Sequence, residues 1–214
     1  MILKNNKSVI IGGGGHFETI FEVLNEKKNK KEYKISFIID DKLRSKTKYN
    51  INIISTKKFF ELKNYKNCNV FLAIGDNEKR KEIYAYLKKR FYKFPNLVSD
   101  RSYISKNSII GDGNQFLIKS YIGPSVIIKT NNIFNTNSII EHNCKVGSDN
   151  HFAPMSVILG NSEVANENLI GSNATVLNNL KIKNRITIGA GSLVNKDILN
   201  NNGKYVGVPI KSVK

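Results

Sequence analysis

Stepping by six from Ile104 meets an aliphatic residue or phenylalanine sixteen times without a gap: Ile104, Ile110, Phe116, Ile122, Ile128, Phe134, Ile140, Val146, Phe152, Ile158, Val164, Ile170, Val176, Ile182, Ile188 and Val194. Four positions later the residue is mostly small, as at Ser108, Ser120, Ser138, Cys144, Ser156, Ser162, Ala174 and Ser192. Glycine often follows the apolar position directly, as at Gly111, Gly123, Gly147, Gly171 and Gly189. An apolar residue every six positions fills the interior of a triangular coil, and three hexapeptides close one turn. Small residues fit near the corners, and glycine or asparagine suits corners that need unusual backbone angles. Successive turns stack at the strand spacing of about 4.8 Å, each burying its interior only against its neighbours. A β-sandwich would show period-two alternation with irregular turns instead. The pattern predicts a parallel β-helix from 104 to 198.

Residues 1–95 follow a different rhythm. Ser8–Ile11 reads as a short strand, followed by Gly12, Gly13, Gly14 and Gly15, then by helical spacing through Phe17, Ile20, Phe21 and Leu24. Lys34–Ile39 is a second strand ending in Asp40 and Asp41. Asn52–Ile54 is a third, after which Ser55 or Thr56 caps a helix through Leu62. Val70–Ile74 is a further strand, and Gly75, Asp76 and Asn77 open a helix from Glu78 to about Phe91. Alternating strands and helices imply a small parallel sheet covered by helices. Pro95 breaks the last helix, so two domains are expected: an α/β unit over 1–95, and a β-helix with a C-terminal tail over 96–214.

A glycine loop between strand and helix exposes amide N–H groups at a positive helix end, which suits phosphate. Gly12 and Gly14 fit the first two positions of a dinucleotide fingerprint, but the third is Phe17, so one nucleotide diphosphate fits better than a redox dinucleotide. Gly13, Gly14 and Gly15 are the candidate phosphate contacts. Asp40 and Asp41 either accept from ribose or base groups or end a strand in solvent. Asn77, with Asp76, either meets a ligand at the carboxyl end of a strand or caps a helix.

The formal charge is +17, from 34 Lys and Arg against 17 Asp and Glu. The excess is spread: residues 1–100 carry 22 basic and 11 acidic residues, and residues 101–214 carry 12 and 6. No basic arm or nucleic-acid motif accompanies it, so a Lys/Asn-rich composition over solvated faces is the simplest reading, and no nucleic-acid partner is expected. A basic surface also attracts anionic small molecules such as nucleotide sugars and coenzyme A. No apolar run of about 18 residues and no signal peptide is read, so a cytoplasmic protein with no membrane span is expected. Cys68 and Cys144 lie far apart with no CxxC spacing, so neither a disulfide framework nor a metal site is expected.

The segments IIGGGGH (10–16), FIIDD (37–41), AIGDNEKR (73–80), NTNSIIEHNCKVGSDNHFAP (135–154), LIGSNATVL (169–177), TIGAGSLVNKD (187–197) and VGVPIK (206–211) together resemble the hexapeptide-repeat sugar acyltransferases. Similar in layout are the bacterial nucleotide-amino-sugar N-acetyltransferases and the sialic acid O-acetyltransferases. The resemblance implies a Rossmann-like domain followed by a left-handed β-helix, assembled as a homotrimer. It implies acetyl-CoA as acyl donor, lying along the β-helix at a subunit junction near Gly160 and Ala190, with a nucleotide sugar held by the glycine-loop domain. It implies His142 as general base, His151 beside the acetyl group, and His16 in contact with sugar or phosphate. On the residues alone, His142 could be a surface histidine with no role, His151 could serve the surface or packing, and His16 could simply start a helix.

His142 lies two residues past Ile140, near a corner of the coil. A neutral imidazole can take the proton that an acceptor amine or hydroxyl loses as it attacks a thioester, and a backbone N–H can hold the oxyanion. The family commonly carries Asp or Glu after the base, where this chain has Asn143. An amide oxygen can fix the tautomer of the ring but does not offset its charge. Three outcomes are open: Asn143 suffices for an amine acceptor, Glu141 contributes, or the base is weak. Cys144 fits a small corner position and reads as packing. The expected function is acetyl-CoA-dependent N-acetylation of a nucleotide-linked amino sugar, such as a 4-amino-4,6-dideoxy sugar, for surface glycan synthesis. The alternatives are a sugar or sialic acid O-acetyltransferase, and a nucleotide-sugar-binding protein without catalysis.

Overall fold

The computed structural model describes residues 7–213 and separates into two compact units, Met1–Asp100 and Arg101–Lys214. In the first, the apolar run after Lys7 forms β1 (Lys7–Ile11), with Val9 and Ile10 fully buried. The glycine turn leads into α1 (Gly15–Leu24), which buries Phe17, Ile20, Val23 and Leu24 on one face. The short helix α2 (Lys27–Glu32) follows, then β2 (Lys34–Ile39), β3 (Thr47–Lys48), β4 (Ile51–Ile54), α3 (Thr56–Glu61), β5 (Asn69–Leu72) and α4 (Asn77–Lys88). The sheet order is β3-β4-β2-β1-β5, parallel except for the β3–β4 hairpin. Ser55 caps α3 by accepting from Lys58 N at 3.2 Å, and Asp76 caps α4 by accepting from Lys79 N at 2.9 Å. The unit is the expected Rossmann-like parallel α/β fold.

Two elements here escaped the hydrophobic pattern. Helix α2 has the sequence KKNKKE and no apolar residue. It is fastened instead by the buried Asn29, whose amide donates to Val23 O and Val98 O at 2.9 Å each. The β3–β4 hairpin turns on Tyr49 and Asn50, both with positive φ (51° and 60°). This pair of left-handed residues is the turn geometry that matches strand twist.

In the second unit every one of the periodic residues is the inner member of a two-residue strand, from Tyr103–Ile104 to Leu193–Val194. Strands pair in parallel with those 18 residues away, as Ile122 with Ile140 and Ile140 with Ile158. The result is a left-handed parallel β-helix. From Phe116 onward these inner residues are at most 2% exposed, each contributing about 1.5–3 kcal/mol of burial. Phe116, Phe134 and Phe152 stack through the interior with ring centroids 4.9 Å apart at both steps.

The corners obey stricter rules than a six-residue period reveals. From Phe116 to Ile182 the third residue past each inner position takes a left-handed conformation, with φ of 56–64° at Lys119, Ser125, Asn131, Asn137, Asn143, Asp149, Met155, Asn161, Glu167, Asn173, Asn179 and Arg185. Asparagine dominates because it tolerates this region at least cost among residues with side chains. The glycines that follow the inner position have a different cause. A Cβ at Gly111, Gly147 or Gly171 would fall 2.5–2.6 Å from an atom of the next turn. Close approach of the turns, and not an unusual angle, demands glycine there.

One corner also carries a buried asparagine column. Asn114, Asn132, Asn150 and Asn168 lie 18 residues apart, and each side-chain oxygen accepts from a main-chain N–H of the following turn, ending at Ile186. The amides of Asn132 and Asn150 donate to Gly147 O and Ala165 O at 2.9 and 2.8 Å. The chain closes with an antiparallel hairpin of Lys204–Val206 and Lys211–Val213, whose turn is the VGVPIK segment.

Candidate active site

His142 stands at the corner between the strands Ile139–Ile140 and Lys145–Val146, and its side chain is exposed. Its backbone is held from both sides: Asn143 N donates to Pro124 O, and Asn161 N donates to His142 O, each at 3.0 Å. One turn on, in the same register, is Gly160. A Cβ on Gly160 would fall 2.4, 2.6 and 3.0 Å from Cε1, Nε2 and Nδ1 of His142. The imidazole therefore lies flat on the α-carbon of Gly160, in space that only glycine leaves open. Two residues expected to act separately, His142 and Gly160, are thus brought together.

The Asn143 amide nitrogen lies 3.2 Å from His142 Nδ1. In that orientation Nδ1 accepts. With the amide turned over, its oxygen accepts from Nδ1–H and leaves the Nε2 lone pair for a substrate proton. Asn143 has φ 58° and occupies the left-handed corner position. Its identity therefore has a backbone cause as well as a chemical one. Cys144 next along is buried, with Sγ 3.3 Å from Leu159 O, and burial pushes its thiol up to about 11. It stays protonated at neutral pH and packs the corner.

The other expected residues of this unit lie elsewhere on the coil. His151 is half-buried on the second face after the His142 corner, in the strand His151–Phe152, with Nε2 3.4 Å from the Asn135 amide nitrogen. Ala190 is exposed at a different corner, after Thr187–Ile188.

In the α/β unit, Gly12 adopts φ 97° and abuts the carbonyl of Ala73, where a Cβ would fall 2.7 Å away. Gly13 is buried, and its N–H donates to Asp40 Oδ2 at 2.8 Å. Asp40 Oδ1 accepts from Lys42 N and Leu43 N. Asp40 thus ties the glycine loop to the end of β2. Gly14 and Gly15 are exposed, with open space where a Cβ would stand, at the start of α1. His16 lies half-buried in the first turn of that helix. Asp41 turns away from the loop to α3, accepting from Thr56 N at 2.8 Å and Thr56 Oγ1 at 2.6 Å, which lowers its pKa. Asn77 accepts from Arg80 at 2.8 Å.

Four residues, Arg80, Lys48, Glu18 and Tyr49, were not read from the sequence. Arg80 is completely buried and donates to Ile74 O, Gly75 O and Asn77 Oδ1, fixing the loop after β5. Its signal was the spacing of three from Asn77 on a helix. Lys48 donates to Gly13 O at 2.8 Å and pairs with Glu18 at 2.7 Å, while Tyr49 OH donates to Glu18 at 2.7 Å. These bonds lower the Glu18 pKa, the Lys48 bond most. They close the β3–β4 hairpin against the glycine loop, and no local sequence spacing announces them.

Among the described residues no group of three His, Cys, Asp or Glu could hold a metal, and no helix is long and apolar enough to cross a membrane.

An α/β unit followed by a left-handed β-helix has solved counterparts. Residues 7–87 match the PglD N-terminal domain. The acetyltransferase domain of PglB from Neisseria gonorrhoeae is 25% identical, with a TM-score of 0.89 over 98% of this chain and 100% of that one. PerB from Caulobacter crescentus, in complex with CoA and GDP-perosamine, is 24% identical, with a TM-score of 0.88 over 97% of each chain. WeeI from Acinetobacter baumannii is 21% identical, with a TM-score of 0.81 over 96% of this chain and 99% of that one. Among curated protein sequences there is no match. Residues 7–87 thus share a domain model with the PglD N-terminal domain, and the chain as a whole shares its fold with these solved structures.

Proposed function

We propose that the protein transfers an acetyl group from acetyl-CoA to the amino group of a nucleotide-linked amino sugar, with His142 as general base. The seating of the His142 ring on Gly160, with Nδ1 beside Asn143, carries this reading. Asn143 fixes the ring so that Nε2 takes the proton lost by the attacking amine. The C–N bond forms, the thioester C–S bond breaks, and the imidazolium returns its proton to the coenzyme A sulfur. The Gly160 main chain, immediately under the ring, is placed to meet the coenzyme. A base of this kind contributes about 100- to 10,000-fold.

The nucleotide diphosphate goes to the open amides of Gly14 and Gly15 at the α1 terminus, with His16 beside them. Asp40 shapes this loop through Gly13, and the ribose and base extend from it along the carboxyl ends of the strands. The acceptor class is a 4-amino-4,6-dideoxy sugar destined for a surface glycan, supported by the perosamine-bound relative. The coil points His142, His151 and Ala190 in different directions, so one copy does not surround an acetyl group with all three. A cytoplasmic trimer that joins the corner of one copy to the face of the next completes the site.

The test is coenzyme A release over a panel of nucleotide sugars offered in amino and hydroxy forms. Release with an amino form, and its near-complete loss in His142→Ala, is expected. Full turnover in that variant removes the base assignment. Preference for a hydroxy form makes the protein an O-acetyltransferase, and nucleotide-sugar binding without release makes it a binding protein.

A further inference from the structure

Helix α4 runs out into a concentrated block of positive charge. Lys88, Lys89, Arg90 and Lys93 are all exposed, and no Asp or Glu occurs between Glu82 and Asp100. Phe91 lies in the middle of this block. It is 79% exposed and has φ 65°. The left-handed turn has a clear structural purpose, since it sends Tyr92 and Phe94 into the core at 8% and 3% exposure. The phenylalanine does not. A helix C-terminus that turns this way favours glycine or asparagine, and a bulky side chain in this conformation is disfavoured. Exposure also forfeits the burial that an aromatic ring ordinarily contributes. Phe91 is thus unfavourable on two independent counts, and the fold gains from neither. Beside it, the Arg90 guanidinium lies 3.5 Å above the ring of Tyr86, itself 47% exposed. Phe60, 39% exposed, lies 5.9 Å from Tyr86.

We propose that this edge of the α/β unit docks on an anionic lipid surface, with Phe91 at the headgroup boundary and Lys88, Lys89, Arg90 and Lys93 on the lipid phosphates. The chemistry favours a bilayer over a protein partner. A protein interface is built around a cluster of groups buried together, whereas here the most exposed ring, Phe91, stands within a run of long cations. Such cations keep their charges in water and lay their stems along an apolar boundary. Tyr86 has the apolar body and polar end that suit the same layer. Charge near an anionic membrane is attractive at every lysine or arginine, but the excess on this chain is widely spread. Phe91 distinguishes this block from the rest. The arrangement would hold the acyltransferase beside a membrane without any spanning segment.

The test is co-sedimentation of the full-length protein with vesicles of phosphatidylcholine alone and of phosphatidylcholine mixed with phosphatidylglycerol. Wild type should bind the mixed vesicles and leave the neutral ones. Lys89→Glu with Arg90→Glu should weaken binding by about 25-fold or more, at about fivefold per cation removed. Phe91→Ser should weaken it by about fivefold, with unchanged circular dichroism and unchanged turnover in solution. Lys30→Glu with Lys31→Glu on α2 applies the same charge change at another exposed site, and should weaken binding by less than about threefold, since surface charges beyond a Debye length are screened. Equal losses in the two charge pairs would show attraction by net charge alone and overturn the proposal. So would a Phe91→Ser protein that binds like wild type. Failure to bind anionic vesicles, with capture by an acidic protein through the same residues, would make the patch a protein interface instead.

Discussion

Replacing Gly160 by alanine is the sharpest perturbation of the His142 site, because it adds one methyl group in a known direction. That carbon would fall 2.4 Å from Cε1 and 2.6 Å from Nε2 of the imidazole. Ordinary carbon contacts need about 3.5–4.0 Å, so the ring must move by more than about 1 Å. His142 is exposed and free to swing outward, at about 0.5–1.5 kcal/mol for an off-rotamer angle. The backbone at Gly160 lies outside the left-handed region, so alanine is conformationally allowed and contributes about 0.4–1 kcal/mol by restricting the unfolded chain. Stability should therefore hardly change. Turnover should fall about 100-fold, the usual effect of a 1 Å misplacement of a reacting group. The assays are coenzyme A release and thermal unfolding of the same preparation. Gly160→Ala combined with His142→Ala should be no worse than His142→Ala alone, since both remove one function. The Gly160 N–H survives in the variant, so wild-type turnover would refute the seating of the base and leave only a main-chain role for Gly160.

Three further outcomes follow from the same structure. Asn143→Asp should fold normally, since Asp149 holds the same conformation at φ 64°, and should match or exceed wild-type turnover because a carboxylate offsets imidazolium charge; Asn143→Val should lose activity and about 1–2 kcal/mol of stability by denaturant titration. Met155, at φ 62° and 53% exposed, forfeits conformational energy for little burial, so Met155→Asn should raise Tm by about 2–4 °C. Cys144 should resist alkylation at pH 8 until the protein unfolds, as followed by mass spectrometry. Burial raises its folded pKa from 9.0 to about 11, so its contribution to stability is full below the unfolded value and declines as pH rises from about 9 to about 11.

The β-helix was legible because its inner residues recur at a period no other fold shares. Ile140 and Phe152 could be placed on strands and turned inward without reference to the rest of the chain. The asparagine column was not legible at that period. A six-residue search averages three unlike corners, whereas an 18-residue step isolates Asn114, Asn132, Asn150 and Asn168 on one of them. The same step pairs His142 with Gly160, so their contact was available in the sequence to a search of the right length. Asn143 read as a missing acid until its backbone angle supplied a second reason for it. In the α/β unit the strands and caps followed from local pattern. The Glu18–Lys48–Tyr49 cluster did not, because it depends on a hairpin folding across some thirty residues, and pairings at that separation leave no periodic trace.

The asparagine column has a consequence for how this half of the molecule can evolve. Each amide is committed to the turn that follows it, and each strand to partners 18 residues before and after. Inserting one residue within a turn would shift every later amide and inner side chain out of step. Length can therefore change only in whole turns, or by segments that bulge outward at a corner and return to the same register. The coil behaves as a ruler graduated in single turns, and lineages that lengthen or shorten it are expected to differ by multiples of eighteen residues.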